Sequence, residues 1–467
     1  MNQIIEKTQK VEFALNSRPY APPEVFSKEL GSGTWVLIDP EAPNWIAVDV
    51  IGKDIVDLCD GERSLREITE TLCAKYDSDL DSSKDSIVEF ANVLAKQGFI
   101  SSEPFSYSSV DKNTIRGMQT LWINITHRCN LRCLHCFREA GESQENELTT
   151  QEILDVIDAF GELEGLSLIV SGGEPFLRSD ILAILQHAKK RVRKVTILTN
   201  GTLIDAKAAR FLKELEPVSV QVSIDGAVKE TNDRIRGNGS FEKALRGIRL
   251  LKEVSFTNDL IMAMTITKLN LREVKSFVDL AEELGATGVH FPLFQAVGRG
   301  RKHQKLLNPE PRDFREIFRQ ILAMRRTSSY NVEVPNMTDR VKYTRRAKRD
   351  LCGAGIVSWS IEPDGRVTPC AGLTDSQFVA GNIREQELSE IIHHSLVTER
   401  FRSMHVKDNP YCASCELRFI CGGGCYVERY NMHGELGASW PRCETAKYLY
   451  NELIGDLVRN REIRKRR

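Results

Sequence analysis

The chain has 467 residues, 41% of them hydrophobic, and a formal net charge of -1. That length and apolar content suit two to four domains with several buried cores, and the neutral balance argues against a nucleic-acid partner. No secretory h-region opens the chain and no apolar run is long enough to span a bilayer, so a cytoplasmic protein with no membrane partner is expected.

Residues 14–104 read as one compact unit. Strand candidates Thr34–Ile38 and Trp45–Val48 flank the turn-rich stretch DPEAPN. Three helices follow. The second opens with the capping-box pair Ser64 and Glu67 ahead of Ile68 and Leu72, and the third sets Ile87, Phe90, Ala91 and Leu94 on one stripe. Cys59 and Cys73 lie among apolar residues at helical spacing and are expected in the core. A hairpin followed by three helices resembles a winged helix. More specifically, LCDGERSLREITETLCAKYD followed by VLAKQGFI resembles the peptide-binding chaperone of pyrroloquinoline quinone biosynthesis (PqqD-like). The resemblance implies peptide recognition; a DNA-binding winged helix would want a basic recognition helix, which is not evident. Residues 105–116, with the polar string SYSSVDKN, read as a linker, so removal of the N-terminal unit is expected to leave the rest folded.

From 117 to 335, strands alternate with helical stretches: Leu121–Thr126, Leu168–Ser171, Val195–Thr199, Val218–Ile224, Leu260–Thr267 and Gly288–Phe291. Such βα alternation predicts a parallel sheet with right-handed crossovers, and barrel sites form at the C-terminal strand ends. The unusual residues fall there. Cys129, Cys133 and Cys136 (CNLRCLHC) follow the first strand, and Gly172, Gly173, Glu174 and Pro175 the second. Thr199-Asn200-Gly201 follows the third strand, and Ser223-Ile224-Asp225-Gly226 ends the fourth, ahead of Arg234, Arg236 and Gly237. QAVGRGR (295–301) follows the sixth. Three close thiolates can hold three irons of a cubane and leave the fourth open, whereas electron-transfer clusters usually take four cysteines. Paired glycines at a strand end let a ligand approach the backbone. His135, between two of the cysteines, reads as a wall residue.

This constellation resembles the radical S-adenosylmethionine (SAM) superfamily. The resemblance implies an α/β fold built on a partial (β/α)6 TIM barrel. It implies a 4Fe-4S cluster on Cys129, Cys133 and Cys136, with SAM chelating the open iron. Gly172 to Pro175 would then hold the methionine amino group, and Ser223 and Arg236 the ribose or carboxylate, for which a guanidinium is well shaped. A low-potential donor such as ferredoxin or flavodoxin would supply the electron that cleaves SAM to a 5′-deoxyadenosyl radical. Hydrogen-atom abstraction needs no general base, so no catalytic Asp or Glu is expected.

Residues 336–467 carry seven cysteines: Cys352, Cys370, Cys412, Cys415, Cys421, Cys425 and Cys443. Pro363-Asp364-Gly365 supplies a turn for a small hairpin between the first two. Clustered Cys-x2-Cys pairs commonly bind zinc. The full spacing, however, resembles the SPASM extension of peptide-modifying radical SAM enzymes and implies two auxiliary iron–sulfur clusters. The family pattern puts Cys412, Cys415, Cys421 and Cys443 on one. Cys352, Cys370 and Cys425 fall on the other, whose fourth position is open, filled by a group such as Asp364, or absent in a smaller cluster.

Together these resemblances imply a radical SAM/SPASM peptide maturase that crosslinks or oxidises a ribosomally made precursor. Its leader peptide would pair with an exposed strand edge of the N-terminal unit. The alternatives are a sulfatase-type maturase, a haem-tailoring enzyme, or an iron–sulfur winged-helix sensor.

Overall fold

The computed structural model describes residues 12–109, 118–215, 217–256, 258–327, 331–333, 348–350 and 352–465. The expected boundaries at 116/117 and 335/336 lie outside the described residues.

The N-terminal unit is an antiparallel sheet, β1 (Phe26–Gly31), β2 (Thr34–Asp39) and β3 (Asn44–Val48), followed by α1 (Val50–Leu58), α2 (Leu65–Tyr76) and α3 (Leu80–Lys96). Each helix begins on a side-chain cap. Asp49 accepts from the Gly52 amide at 2.7 Å, Asp79 accepts from Ser82, and Ser64 and Glu67 form the expected capping box. β1 is a strand the sequence pattern did not suggest. Its stretch FSKELG is mostly exposed, and it exists because β2 offers it a hydrogen-bonding edge.

β2 is buried on both faces. Leu37 joins Ile46, Ile55, Ile68 and Leu94 in the unit's own core, while Val36 and Ile38, with Trp45 of β3, join the main core of the molecule. Alternation along a strand produces this division. The described part of the expected linker is also engaged: the Tyr107 hydroxyl donates to Asp39 (2.7 Å), and Lys348 donates to the Ser108 carbonyl (2.8 Å). The N-terminal unit is therefore seated on the rest of the chain.

Six parallel strands follow in chain order: β4 (Thr120–Asn124), β5 (Ser167–Ser171), β6 (Lys194–Thr199), β7 (Val218–Ser223), β8 (Leu260–Ala263) and β9 (Gly288–His290). Their crossovers include α4 (Thr150–Glu162), α5 (Ile181–Arg191), α6 (Ala206–Glu214), α7 (Lys229–Arg236), α8 (Ser240–Glu253) and α9 (Val274–Leu284). The apolar alternation places Leu121, Ile123, Val170, Ile197 and Val220 in the interior, all fully buried.

The sheet does not end at these six strands. β10 (Asn331–Glu333) pairs in parallel with β9, and β11 (Ser358–Ile361) with β4. β12 (Arg366–Thr368) and β13 (Gly381–Asn382) then continue antiparallel, making ten strands. The cysteine-flanked hairpin is thus a continuation of the barrel sheet, because the outer edge of β4 needs hydrogen-bond partners. Beyond it, short helices and loops carry the remaining cysteines, and the helix Cys443–Lys465 packs against the helix Pro311–Thr327. Among the described residues, no helix is long and apolar enough to cross a membrane.

Candidate active site and cysteine clusters

The loops after β4 and β5 run side by side. Gly173 and Glu174 donate backbone amides to the carbonyls of Thr126 and Arg128, both at 2.8 Å. A Cβ on Gly172 would meet the Thr126 oxygen at 2.3 Å, and one on Gly173 the Arg128 oxygen at 2.2 Å. Gly172 also holds a positive φ of 134°. The glycine pair is thus demanded by contact between two backbones, a reason additional to ligand approach. Glu174 is fully buried and its carboxylate accepts from the Thr199 hydroxyl (2.7 Å), the Asn200 amide (2.7 Å) and the Phe176 amide (3.1 Å). Burial raises its pKa despite these donors. It braces the β5 loop against the β6 loop, and Pro175 then opens a short 3-10 turn.

The cysteine loop is clasped from several strand ends. Cys129 donates its amide to Gly141 (2.8 Å), and Leu134 donates to Ile235 in α7 (2.8 Å). From QAVGRGR, the Arg299 guanidinium donates to the carbonyls of Cys133 and Ala140 (2.9 and 2.8 Å), and its amide to that of Cys136 (3.0 Å). Arg299 was legible only as part of an unusual string; its clasp on the cysteine loop was not.

Arg236 is 8% exposed, which separates it from the exposed Arg234. Its Nε lies 2.6 Å from Asp225 Oδ2, and His135 Nε2 lies 2.5 Å from the same oxygen. The Thr265 amide donates to the other carboxylate oxygen at 2.7 Å. Burial alone would raise the Asp225 pKa; Arg236 first and His135 next overcome it and hold the group near about 2. His135, between two of the cysteines, has its partner in Asp225. Cys133 lies against Arg236, its thiol 3.8 Å from that residue's carbonyl. Ser223 ends β7 and is half-buried.

Burial pushes the Cys133 thiol up to about 12 and raises that of Cys129. Without a cation such thiols keep their protons, while iron would stabilise the thiolates, so the donor set suits an iron–sulfur cluster.

Cys412, Cys415, Cys421 and Cys443 line one cavity of about 290 Å³, with Arg418 and Trp440 in its wall. Burial pushes Cys415 up to about 12 and raises Cys443. This is the same four the family pattern groups together. Cys370 is pushed up to about 11, by burial first and then by Cys352, and Cys425 is raised by burial, with Cys352 and Cys370 adding to the effect. The Gln295 amide lies 3.7 Å from the Cys425 sulfur. Asp364 pairs with Arg366 at 2.7 Å, and Glu362 is the carboxylate that bears on Cys370, itself paired with Arg138. Cys59 and Cys73 are buried in the N-terminal core. Among the described residues, no three His, Cys, Asp or Glu side chains converge on a point that would hold a single metal ion.

Three family models match. The Radical SAM superfamily covers residues 123–281, Coenzyme PQQ synthesis protein D (PqqD) covers 34–100, and the SPASM iron–sulfur cluster-binding domain covers 352–416. The mycofactocin maturase MftC of Mycolicibacterium smegmatis is 31% identical, spanning 68% of this chain and 81% of that protein. An AdoMet-dependent heme synthase of Methanosarcina barkeri is also 31% identical, over 68% of this chain and 94% of its own. The antilisterial bacteriocin subtilosin biosynthesis protein AlbA of Bacillus subtilis is 26% identical over 87% of this chain and 90% of its own. In fold, the chain resembles Streptococcus suis SuiB bound to S-adenosylmethionine, with a TM-score of 0.58, 18% identity, and coverage of 91% and 99% of the two chains. SuiB bound to its precursor peptide SuiA gives a TM-score of 0.57 at 18% identity, with coverage of 92% and 99%. The chain belongs to the radical SAM superfamily: it is a SAM-cleaving, iron–sulfur enzyme with a SPASM extension and a PqqD-like unit.

Proposed function

We propose that this enzyme matures a ribosomally made peptide, held through its leader by the N-terminal unit. The observation that carries this reading is the fusion of a PqqD-like unit to the barrel, seated on it through Val36, Ile38 and Trp45. Among the described residues the outer strand β1 pairs only with β2 and is mostly exposed, so an extended peptide can add to its edge. A tethered leader raises the effective concentration of the core segment at the barrel mouth. AlbA, named for the biosynthesis of a bacteriocin, matches along 87% of this chain, whereas the heme synthase matches along 68%.

In this reading Cys129, Cys133 and Cys136 hold the 4Fe-4S cluster that binds SAM. Carbonyls of the Gly172–Pro175 loop receive the SAM ammonium, and Ser223 and Arg236 receive its ribose and carboxylate. Arg236 brings a positive charge already oriented by Asp225, so its guanidinium is not free to wander. Cys412, Cys415, Cys421 and Cys443 hold one auxiliary cluster, and Cys352, Cys370 and Cys425 the other. When bound to a reduced cluster, SAM supplies a 5′-deoxyadenosyl radical able to take hydrogen from an unactivated carbon. The chain's own part is positional: Glu174 and Arg299 lock the loops, and the buried strand ends keep water from the reacting carbon. Electrons come from a cytoplasmic ferredoxin or flavodoxin. Residues 14–104, 117–335 and 336–467 divide the work into recognition, SAM chemistry and auxiliary clusters.

The test is anaerobic reconstitution followed by dithionite, SAM and the peptides encoded in small neighbouring reading frames. Formation of 5′-deoxyadenosine together with a leader-dependent mass change is expected. A Soret shift and turnover with an iron porphyrin, with no peptide altered, would replace the peptide by a haem precursor.

A further inference from the structure

Arg418 sits between Cys415 and Cys421 in a single helical turn, only 3% exposed, in the wall of the four-cysteine cavity. One guanidinium nitrogen donates to the Cys415 carbonyl at 3.1 Å. The others reach across to the N-terminal unit. Nε and a terminal nitrogen donate to Glu41 Oε1 at 3.2 and 2.8 Å, and the same terminal nitrogen meets Glu24. Glu41 lies in the turn between β2 and β3, fixed by Asp39, which accepts the Glu41 and Ala42 amides at 2.9 and 3.1 Å. It also receives Lys407 at 2.6 Å.

We infer that Glu24 and Glu41 set, through Arg418, the charge felt by a cluster in the Cys412, Cys415, Cys421 and Cys443 cavity. The recognition unit is then part of the electron-transfer apparatus as well as a handle for substrate. The inference rests on the reading that these four cysteines hold an iron–sulfur cluster. Reduction adds one electron from the donor and breaks no bond, so its free energy follows the net charge and hydrogen bonds around the cluster. A cation at the cavity wall favours the reduced, more negative state. A carboxylate that neutralises that cation opposes it, and the poorly screened interior makes both effects larger than they would be at a surface.

The prediction has two opposite signs. Glu41→Gln removes an anion and should raise the reduction potential of this cluster; Arg418→Met removes a cation and should lower it. Each should change the reduced-to-oxidised ratio at a fixed poise about tenfold, equivalent to about 59 mV for a one-electron couple. Arg418→Lys keeps the charge and should stay near the parent value. The measurement is an EPR-monitored redox titration of the full-length, anaerobically reconstituted chain, with Cys129, Cys133 and Cys136 changed to Ala to silence the SAM cluster and Cys352, Cys370 and Cys425 changed to Ala to silence the other auxiliary cluster. Iron content and the auxiliary signal are recorded first. Loss of that iron in the parent would sink the cluster assignment itself. A present cluster whose potential moves the same way in both variants, or in neither, would overturn this inference alone. Should Arg418→Met not fold, Glu24→Gln and Glu41→Gln together carry the test, with an upward shift expected and an unchanged potential contradicting it.

Discussion

At the scale of single residues, Asp225 holds two partners from distant parts of the chain, His135 and Arg236, around one buried carboxylate. Asp225→Asn leaves a buried guanidinium without its counter-charge and should cost about 3–5 kcal/mol, read by urea unfolding. Its pKa is depressed to about 2, so its stabilisation is complete above the ordinary carboxylate range and is lost as pH falls toward that value. The stability of metal-free protein should therefore fall less steeply between about pH 4 and 2 in Asp225→Asn than in the parent. Gly172→Ala is predicted to cost about 1–3 kcal/mol from backbone strain alone, before the clash with Thr126, and to lower iron content on reconstitution. Changing Cys129, Cys133 and Cys136 to Ala should abolish 5′-deoxyadenosine formation; normal SAM cleavage by that variant would remove the basis of their assignment. The cysteines and the glycine pair were legible because their types and spacings are unusual in themselves. Asp225 was visible only as a strand-end residue, since nothing local links it to position 135.

Among the elements, the Ser64–Glu67 capping box and the six parallel strands were readable because caps and apolar periods are local. Ser64→Ala should cost about 0.5–2 kcal/mol in thermal or chemical unfolding, since it removes the acceptor for the Glu67 amide. α4 is capped in the same way by Thr149 and Glu152, and Glu152 is shared with Arg384 beyond the C-terminal hairpin at 2.5 Å. β1 and β11, among the strands that the pattern did not place in their sheets, are defined by their neighbours. β11 is held to β4 by the Asn124 amide, which donates to the Ser360 hydroxyl and the Ile361 carbonyl, both at 3.1 Å. A three- to six-residue strand with mixed polarity carries too little periodicity to announce which edge it will complete.

For the whole molecule, the seat of the N-terminal unit changes what its deletion would do. Removing residues 14–104 strips Val36, Ile38 and Trp45 from the main core and leaves Arg418 without Glu24 and Glu41. The truncated enzyme should therefore show a lower melting temperature and lower soluble yield as well as reduced peptide maturation. A sharper probe of leader recognition is substitution along the exposed strand β1, where Lys28 and Glu29 are both exposed, with binding followed by calorimetry. Trp45→Ala, at 4% exposure, should cost about 3–5 kcal/mol and separates the structural role of this unit from its recognition role.

What the amino-acid sequence determined by itself is the chemistry available: ten cysteines in three spacings, a glycine pair at a strand end, and strands in the order of a partial barrel. These are short-range properties, set by residue type and by periods of two or 3.6 residues. Only the tertiary structure decided that Glu41 meets Arg418 across 377 positions, that the C-terminal hairpin extends the barrel sheet, and that Asp225 holds both His135 and Arg236. Such meetings depend on loop closure and on matching buried surfaces from several elements at once, and neither leaves a periodic trace along the chain.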